Sequence, residues 1–189
     1  MKNLQSYLKA RVPISSTDIE LLHTYFTKEE VPAQTPLLAS GSIERYLYFL
    51  SKGIVKGFQN IDGKIVIQHL VAEHDFFTSL ESFMTQTPTT DYYETITPCT
   101  ILKIAKTDFD SLQEKSSFWT DAVNIITNEH LNCKLERVKD FQILTAKERY
   151  LKFVAQNPKL ALQVSIDNIA SFLGIEPQSL SRIRKQIAF

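Results

Sequence analysis

The chain has 189 residues, enough for one large or two small domains, and 43% of them are apolar, which allows a buried core. Its 21 basic and 21 acidic residues leave no net charge, which excludes a protein that is basic over its whole surface. No apolar run is long enough to cross a bilayer and the first residues do not form a signal peptide, so we expect a cytoplasmic protein with no membrane partner.

Charge is nevertheless distributed unevenly along the chain. Residues 145–189 carry seven basic and three acidic side chains, and because the whole chain is neutral, the preceding residues are acidic by the same margin. This asymmetry favours an anionic partner for the C-terminal part, although a difference of this size also arises by chance. The two cysteines, Cys99 and Cys133, lie too far apart in sequence for a metal motif or a disulfide framework, as is typical of a reducing compartment.

The N-terminal half is predicted to form one helix followed by an antiparallel barrel. Ser15 or Ser16 can cap a helix that ends near Phe26. Residues 44–77 and 91–106 then read as short strands rich in β-branched and aromatic residues. The Asp62-Gly63 pair between two such runs is a strong hairpin signal, and four of the five glycines lie between residues 41 and 63. We therefore expect an antiparallel β-barrel or jelly roll.

From about Thr107 the pattern becomes helical, with no glycine or proline before residue 145. A set of positions recurs with a period near seven and approximates a seam: Phe118, Ala122, Ile125 or Ile126, Glu129, Cys133, Leu135 or Glu136, and Lys139. A helix of this length can bridge two domains, pair with its copy in a dimer, or do both. The alternative is an ordinary helix that covers the barrel.

The last 45 residues are predicted to form three short helices. Thr145 and Glu148 form a capping box at the start of the first, and Pro158 is expected to end it. Ser165 can cap the second, which Gly174 ends in a left-handed conformation. Pro177 begins the third, where its missing N–H has no cost. A tight turn between the last two helices predicts a helix-turn-helix.

The helix-turn-helix pattern separates packing residues from exposed polar ones. We expect the wedge between the two helices to consist of Ile169, Ala170, Leu173, Ile175, Leu180 and Ile183. The outer face can place Gln178, Ser179, Ser181 and Arg182 against base edges in a major groove. Arg184 and Lys185 are expected to meet phosphates, as is Ser165 through its hydroxyl and the free N–H groups of its helix. The alternative is a basic, solvated helix in a bundle.

A barrel, a long helix and a C-terminal helix-turn-helix, in this order, resemble the superfamily of the cyclic-AMP receptor protein and the fumarate-nitrate regulator, Crp/Fnr. The motif IASFLGI-x-P-x-SLSRIRK looks particularly like the branch common in Bacteroidetes. The resemblance implies an α+β protein with a cyclic-nucleotide-binding-like barrel over residues 1–112, a dimerisation helix over 113–143 and a DNA-binding domain over 144–189. It also implies a homodimer on near-palindromic double-stranded DNA that recruits or blocks RNA polymerase.

The expected effector site departs from the cyclic-nucleotide pattern of that superfamily. The positions of the Gly-Glu pair fall on Thr78 and Ser79, followed by Leu80 and Glu81, and those of the Arg-Ser pair fall on Thr89 and Thr90. A phosphate would therefore lack its cation, and we do not expect cyclic AMP to bind. A different small-molecule effector remains open, and we expect no metal and no cofactor.

Two other functions compete with a DNA-binding regulator. One is an effector-binding barrel in a signalling protein whose tail makes protein contacts only. The other is a metalloenzyme on a jelly-roll barrel, which needs two or three histidines on neighbouring strands. His69 and His74 do not have the H-x-H spacing and no third histidine follows within the barrel, so we expect no enzyme.

Overall fold

The computed structural model describes residues 1–187. Helices and strands follow in the order α1 (Lys2–Lys9), α2 (Ser16–Tyr25), β1 (Thr27–Val31), β2 (Pro36–Leu38), β3 (Tyr46–Lys52), β4 (Val55–Ile61), β5 (Lys64–Val71), β6 (Asp75–Phe77), α3 (Leu80–Thr85), β7 (Asp91–Thr95), β8 (Cys99–Ala105), α4 (Lys106–Lys115), α5 (Ser117–Ile143), α6 (Ala146–Gln156), α7 (Pro158–Gln163), α8 (Ile166–Leu173) and α9 (Pro177–Ile187). The predicted α+β class is confirmed.

The strands form two four-stranded antiparallel sheets. One has the order β1-β8-β3-β6 and the other β2-β7-β4-β5, so strands distant in sequence are neighbours, as expected of a jelly roll. The predicted hairpin joins β4 to β5, where Ile61 faces Lys64 in the register. Asp62 and Gly63 both have positive φ angles, of 51° and 86°, as a type I′ turn requires.

Three elements at the N-terminal side have no counterpart in the sequence prediction: α1, β1 and β2. β1 has the sequence TKEEV, in which only Val31 is buried, and β2 has three residues. Neither shows the apolar alternation that marks a strand, because both are edge strands, paired on one side to β8 and β7. The helix α1 adds Leu4, Tyr7 and Leu8 to the barrel core.

The predicted long helix is interrupted once, at Ser116, whose φ of −154° and ψ of 127° are extended. The 27-residue helix α5 follows. The predicted seam is wrong at its start, because Phe118 and Ala122 are buried in the barrel core instead of facing outward. Beyond residue 130 the large apolar side chains of α5 are exposed, namely Leu131, Leu135, Val138, Phe141 and Ile143.

Within residues 1–187, four helices follow α5, where three were predicted. The capping boxes of α2 (Ser15) and α6 (Thr145) are present, each with a reciprocal carboxylate, from Asp18 and Glu148. The prediction that Pro158 ends a helix is wrong in one respect: Asn157 ends α6, and Pro158 starts the short helix α7. Proline fits the first helical turn because the backbone N–H it lacks has no partner there.

Glu44 has a buried carboxyl group, and its backbone joins the barrel to α3. Only 1% of Glu44 is exposed. Its Oε1 accepts hydrogen bonds from the Tyr46 backbone N–H at 3.0 Å and the Tyr48 hydroxyl at 3.4 Å, whereas Oε2 has no partner. The Gln86 side chain, at the end of α3, donates to the Glu44 carbonyl at 2.9 Å. Burial raises the pKa of the Glu44 carboxyl to about 7.

This raised pKa makes stability depend on pH. Between the model-peptide pKa of 4.5 and about 7 the folded protein holds a proton that the unfolded chain has released. The stabilisation from the proton on Glu44 is therefore complete below pH 4.5, and it is lost as the pH rises to about 7. Glu44→Gln should remove this dependence. The free energy of unfolding of the variant, relative to that of the unmodified protein, should be higher at pH 8 than at pH 5 by on the order of 3 kcal/mol. Urea unfolding of both proteins at the two pH values measures it, and parallel pH profiles would contradict it.

Candidate nucleic-acid interface and effector cavity

The packing wedge of the helix-turn-helix lies where the sequence places it. Ile169, Ala170 and Leu180 have no exposed surface, and Leu173 and Ile175 are also buried. Ile183 is half-buried against the same cluster. Gly174, between α8 and α9, has a φ of 60°, and its backbone N–H is bonded to the carbonyl of Ser171 at 3.2 Å. The turn is therefore of the predicted left-handed type.

One face of α9 carries exposed polar side chains. Gln178, Arg182 and Lys185 are all exposed, and their spacing of four and three residues aligns them along the helix. Ser179, Ser181 and Arg184 are half-buried at the sides of this row. Within residues 1–187, no carboxylate lies in ion-pair range of the three cations of α9.

Other cations in the C-terminal part have internal partners. Lys152 pairs with Asp140 at 2.7 Å, and Lys159 pairs with Glu73 of the barrel. Arg149 donates to the carbonyls of Leu144 at 2.7 Å and Leu173 at 3.0 Å. The excess positive charge of this segment is consequently concentrated on α9 and on Lys147.

Ser165 is exposed at the start of α8, as predicted. Its Oγ accepts the Asn168 backbone N–H at 3.3 Å, so the hydroxyl caps the helix. Asp167 stands in the same first turn. A phosphate would meet free backbone N–H groups here, but also this carboxylate, so Ser165 is a weaker anion contact than the α9 cations.

The turn of the helix-turn-helix is packed directly on the end of α5. A Cβ atom at Gly174 would lie 2.7 Å from Cε1 of Phe141, closer than real Cβ contacts. The guanidinium of Arg149 covers the same Phe141 ring, 5.3 Å from its centroid. This contact, which we call the Gly174–Phe141–Arg149 junction, fixes α9 relative to the long helix.

A second contact joins α8 to the exposed edge of β5. The Ser171 hydroxyl accepts the Ile67 backbone N–H at 2.9 Å and donates to the Ile65 carbonyl at 3.2 Å. Arg137 of α5 donates to the Gln68 carbonyl at 2.8 Å, and its guanidinium lies 4.6 Å from the centre of the Phe172 ring. Backbone N–H and C=O groups at the edge of β5, which would otherwise lack hydrogen-bond partners within the sheet, are thus bonded to side chains of α5 and α8.

A cavity of about 830 Å³ lies between the barrel and α5. All six residues predicted for the effector site line it, namely Thr78, Ser79, Leu80, Glu81, Thr89 and Thr90. Lys134, Arg137 and Phe172 line the same cavity, so its wall includes side chains of α5 and α8. A cavity of this volume suits a ligand of ordinary metabolite size.

Sequence reasoning missed the carboxylate at the centre of this site, that of Asp91. Its Oδ2 accepts the Ser79 hydroxyl at 2.6 Å, and its Oδ1 accepts the Gln59 amide at 2.8 Å. Thr89 is tied to the same cluster through the Ser79 hydroxyl at 2.9 Å and the Asp91 backbone N–H at 3.0 Å. A cyclic phosphate at these positions would meet a negative charge, which agrees with the missing arginine.

His69 lines the cavity and stacks on Tyr93, with ring centroids 6.1 Å apart. Burial, and next the positive charges of Lys134 and Arg137, lower the pKa of His69 to about 4. The ring is therefore neutral at physiological pH. Across residues 1–187 no group of three or more His, Cys, Asp or Glu side chains could hold a metal ion, and no helix there is long and apolar enough to span a membrane.

Residues 28–116 match the family model of the cyclic nucleotide-binding domain. No curated protein sequence matches the chain. Among solved structures, FixK2 from Bradyrhizobium japonicum is similar with a TM-score of 0.74 and 17% identity, covering 86% of this chain and 84% of that one. The c-di-GMP responsive global regulator CLP from Xanthomonas campestris has a TM-score of 0.71 and 16% identity, covering 92% and 91%. A protein from Eubacterium rectale assigned to the Crp/Fnr family of transcriptional regulators has a TM-score of 0.72 and 12% identity, and the match covers 92% of this chain and 83% of that one.

These likenesses establish the fold over most of the chain: a cyclic-nucleotide-binding-like barrel followed by C-terminal helices, as in structures of Crp/Fnr regulators. The identities are too low to carry over any ligand or target.

The junction predicts that alanine lowers the stability of the protein more at Gly174 than at Gly63, although both glycines have positive φ angles. Gly63→Ala meets no atom within 4 Å, so it should lose only about 1–2 kcal/mol through its φ of 86°. Gly174→Ala adds the contact with Phe141 and should lose about 1–3 kcal/mol more. Urea unfolding gives both values. Equal losses would show that Phe141 does not constrain the turn.

Proposed function

We propose that this protein is a homodimeric transcription regulator of the Crp/Fnr type that binds double-stranded DNA through α9. The observation that carries the proposal is the row of Gln178, Arg182 and Lys185, exposed on a helix whose other face is buried in the helix-turn-helix wedge. Lys152 and Arg149 of α6 are bonded within the protein, to the Asp140 carboxylate and the Leu144 carbonyl. The cations of α9 are presented to an external anion instead.

The division of roles follows from position along α9. A recognition helix places its N-terminal side chains nearest to the base edges. We assign Gln178 and Ser179 to the first bases read, with Ser181 and Arg182 one turn further, where an arginine can donate two hydrogen bonds to guanine. Arg184 and Lys185 are assigned to phosphates, and Ser165 at the start of α8 to a flanking phosphate.

Dimerisation is supported by an apolar stripe on α5. Leu131, Leu135 and Val138 are 51%, 57% and 54% exposed and are spaced by four and three residues. That spacing is the a/d repeat of a two-stranded coiled coil, and a monomer would leave the stripe in water. The three proposed units are then a sensor barrel (1–112), a dimerisation helix (113–143) and a DNA-binding domain (144–189).

The structural neighbours are consistent with regulation at a promoter. The Xanthomonas campestris neighbour links cell-cell signalling to virulence gene expression. On this basis we propose that the DNA-bound dimer recruits or blocks RNA polymerase, and that a small molecule in the cavity controls it. The Bacteroidetes-type branch is part of the same proposal and rests on the C-terminal motif alone.

Arg182→Ala tests the assignment of the recognition helix. On the preferred DNA site it should cost about 1–3 kcal/mol of binding free energy and relax base preference at one position, while affinity for random duplex changes little. Fluorescence anisotropy with both duplexes at two salt concentrations measures this, and binding of the unmodified protein should weaken as salt rises.

A matched control is Lys9→Ala, which removes the same charge from α1 of the barrel, where no DNA contact is proposed. It should leave both affinities unchanged. Equal loss on all sequences for Arg182→Ala would reassign Arg182 to a phosphate, and no binding to any duplex at low salt would contradict the proposed function itself.

A further inference from the structure

The cavity contains a carboxylate without a cationic partner. Across residues 1–187 no lysine, arginine or histidine side chain lies in ion-pair range of Asp91, which is half-buried. Both of its side-chain hydrogen bonds come from neutral groups, the Ser79 hydroxyl and the Gln59 amide. By contrast, Asp75, in the same cavity wall, is paired with His130 at 3.1 Å.

Asp91 still has acceptor capacity. A carboxylate offers about four lone-pair positions, and the two neutral donors occupy one on each oxygen. They also hold the group in place, because Ser79 is itself buried and bonded to Thr89. A fixed acceptor with no counter-ion, facing a cavity, is suited to a ligand that carries a positive charge.

The rest of the cavity sets the character of that ligand. Part of the remaining wall is apolar and includes Phe76, Phe83, Val123 and Ile126. Polar groups that fix orientation beside an apolar wall are the usual composition of a metabolite site. The ligand should therefore combine one charged group with an apolar body.

We propose that the cavity binds a small organic amine with an apolar or aromatic body, its ammonium group donating to Asp91 where cyclic-nucleotide binders hold a phosphate. The statement that this amine acts as the effector of a regulator rests on the proposed function, whereas the statement that it binds to the cavity does not. The site thus has the opposite charge preference to a cyclic-nucleotide site. Lys134 and Arg137 also line the cavity, and they would favour an anion instead.

The probes phenethylamine and tyramine test the proposal on the full-length protein, with 3-phenylpropionate and cyclic AMP as anionic comparisons. Trp119 is the single tryptophan and lines the cavity, so its fluorescence reports occupancy by phenethylamine. The melting temperature gives a second readout, because a ligand that binds only the folded state raises it. We expect both readouts to respond to the amines and not to the two anions.

Asp91→Asn should lower the affinity for the amine by roughly tenfold or more, because the substitution removes a charge-assisted hydrogen bond. Asp62→Asn makes the same side-chain change in the exposed turn between β4 and β5, outside the cavity lining, and it should leave amine affinity unchanged. Should Asp91→Asn melt at a much lower temperature, the Trp119 titration is run well below that temperature.

The proposal is overturned if neither amine binds, if 3-phenylpropionate binds as well as they do, or if both variants lose amine equally. DNA binding is measured on the same samples. A protein that binds DNA but no amine refutes this inference alone, and one that binds amine but no DNA refutes the proposed regulator while the amine site stands.

Discussion

The Gly174–Phe141–Arg149 junction sets the position of the turn before α9 relative to the end of α5. Gly174 has no side chain and a left-handed φ, so the turn between α8 and α9 can lie against the Phe141 ring. Arg149 covers that ring and bonds the carbonyls at the ends of α5 and α8. Because Phe141 belongs to α5, the exposed face of α9 is held in a fixed position relative to the stripe proposed for dimerisation. In a dimer, this position sets the separation of the two recognition helices.

The cavity and the helix-turn-helix share side chains. Arg137 and Phe172 line the cavity, and Phe172 is in α8. Ser171, beside it, is bonded to the edge of β5. An occupant that displaced Arg137 from the Gln68 carbonyl would loosen the contact between barrel and α8 without touching the side chains proposed to face DNA. If an effector and DNA bind as proposed, coupling between them would have a short physical route, through two contacts that each have a defined partner in the structure described.

The starts of α6, α8 and α9 could be predicted because they depend on local chemistry, whereas the short helix α7 was missed. Thr145 with Glu148, Ser165, Gly174 and Pro177 each act within one turn of their own position, so their roles can be read from spacing. The edge strands β1 and β2 were missed because their stability comes from pairing with β8 and β7, which are more than fifty residues away. Asp91 was missed for the same reason: its importance arises from Ser79 and Gln59, brought to it by the barrel. The prediction for Phe118 and Ala122 at the start of α5 was wrong because apolar residues that face a core recur along a helix with the same period as those that face a partner helix.

The most direct test of the central claim, that paired α9 helices read DNA, is selection of binding sites from random duplex DNA by the full-length protein. The account predicts enrichment of an inverted repeat whose half-sites lie about one helical turn apart, as a two-fold dimer requires. Recovery of sequences with no common motif, at affinities no better than bulk duplex, would contradict it.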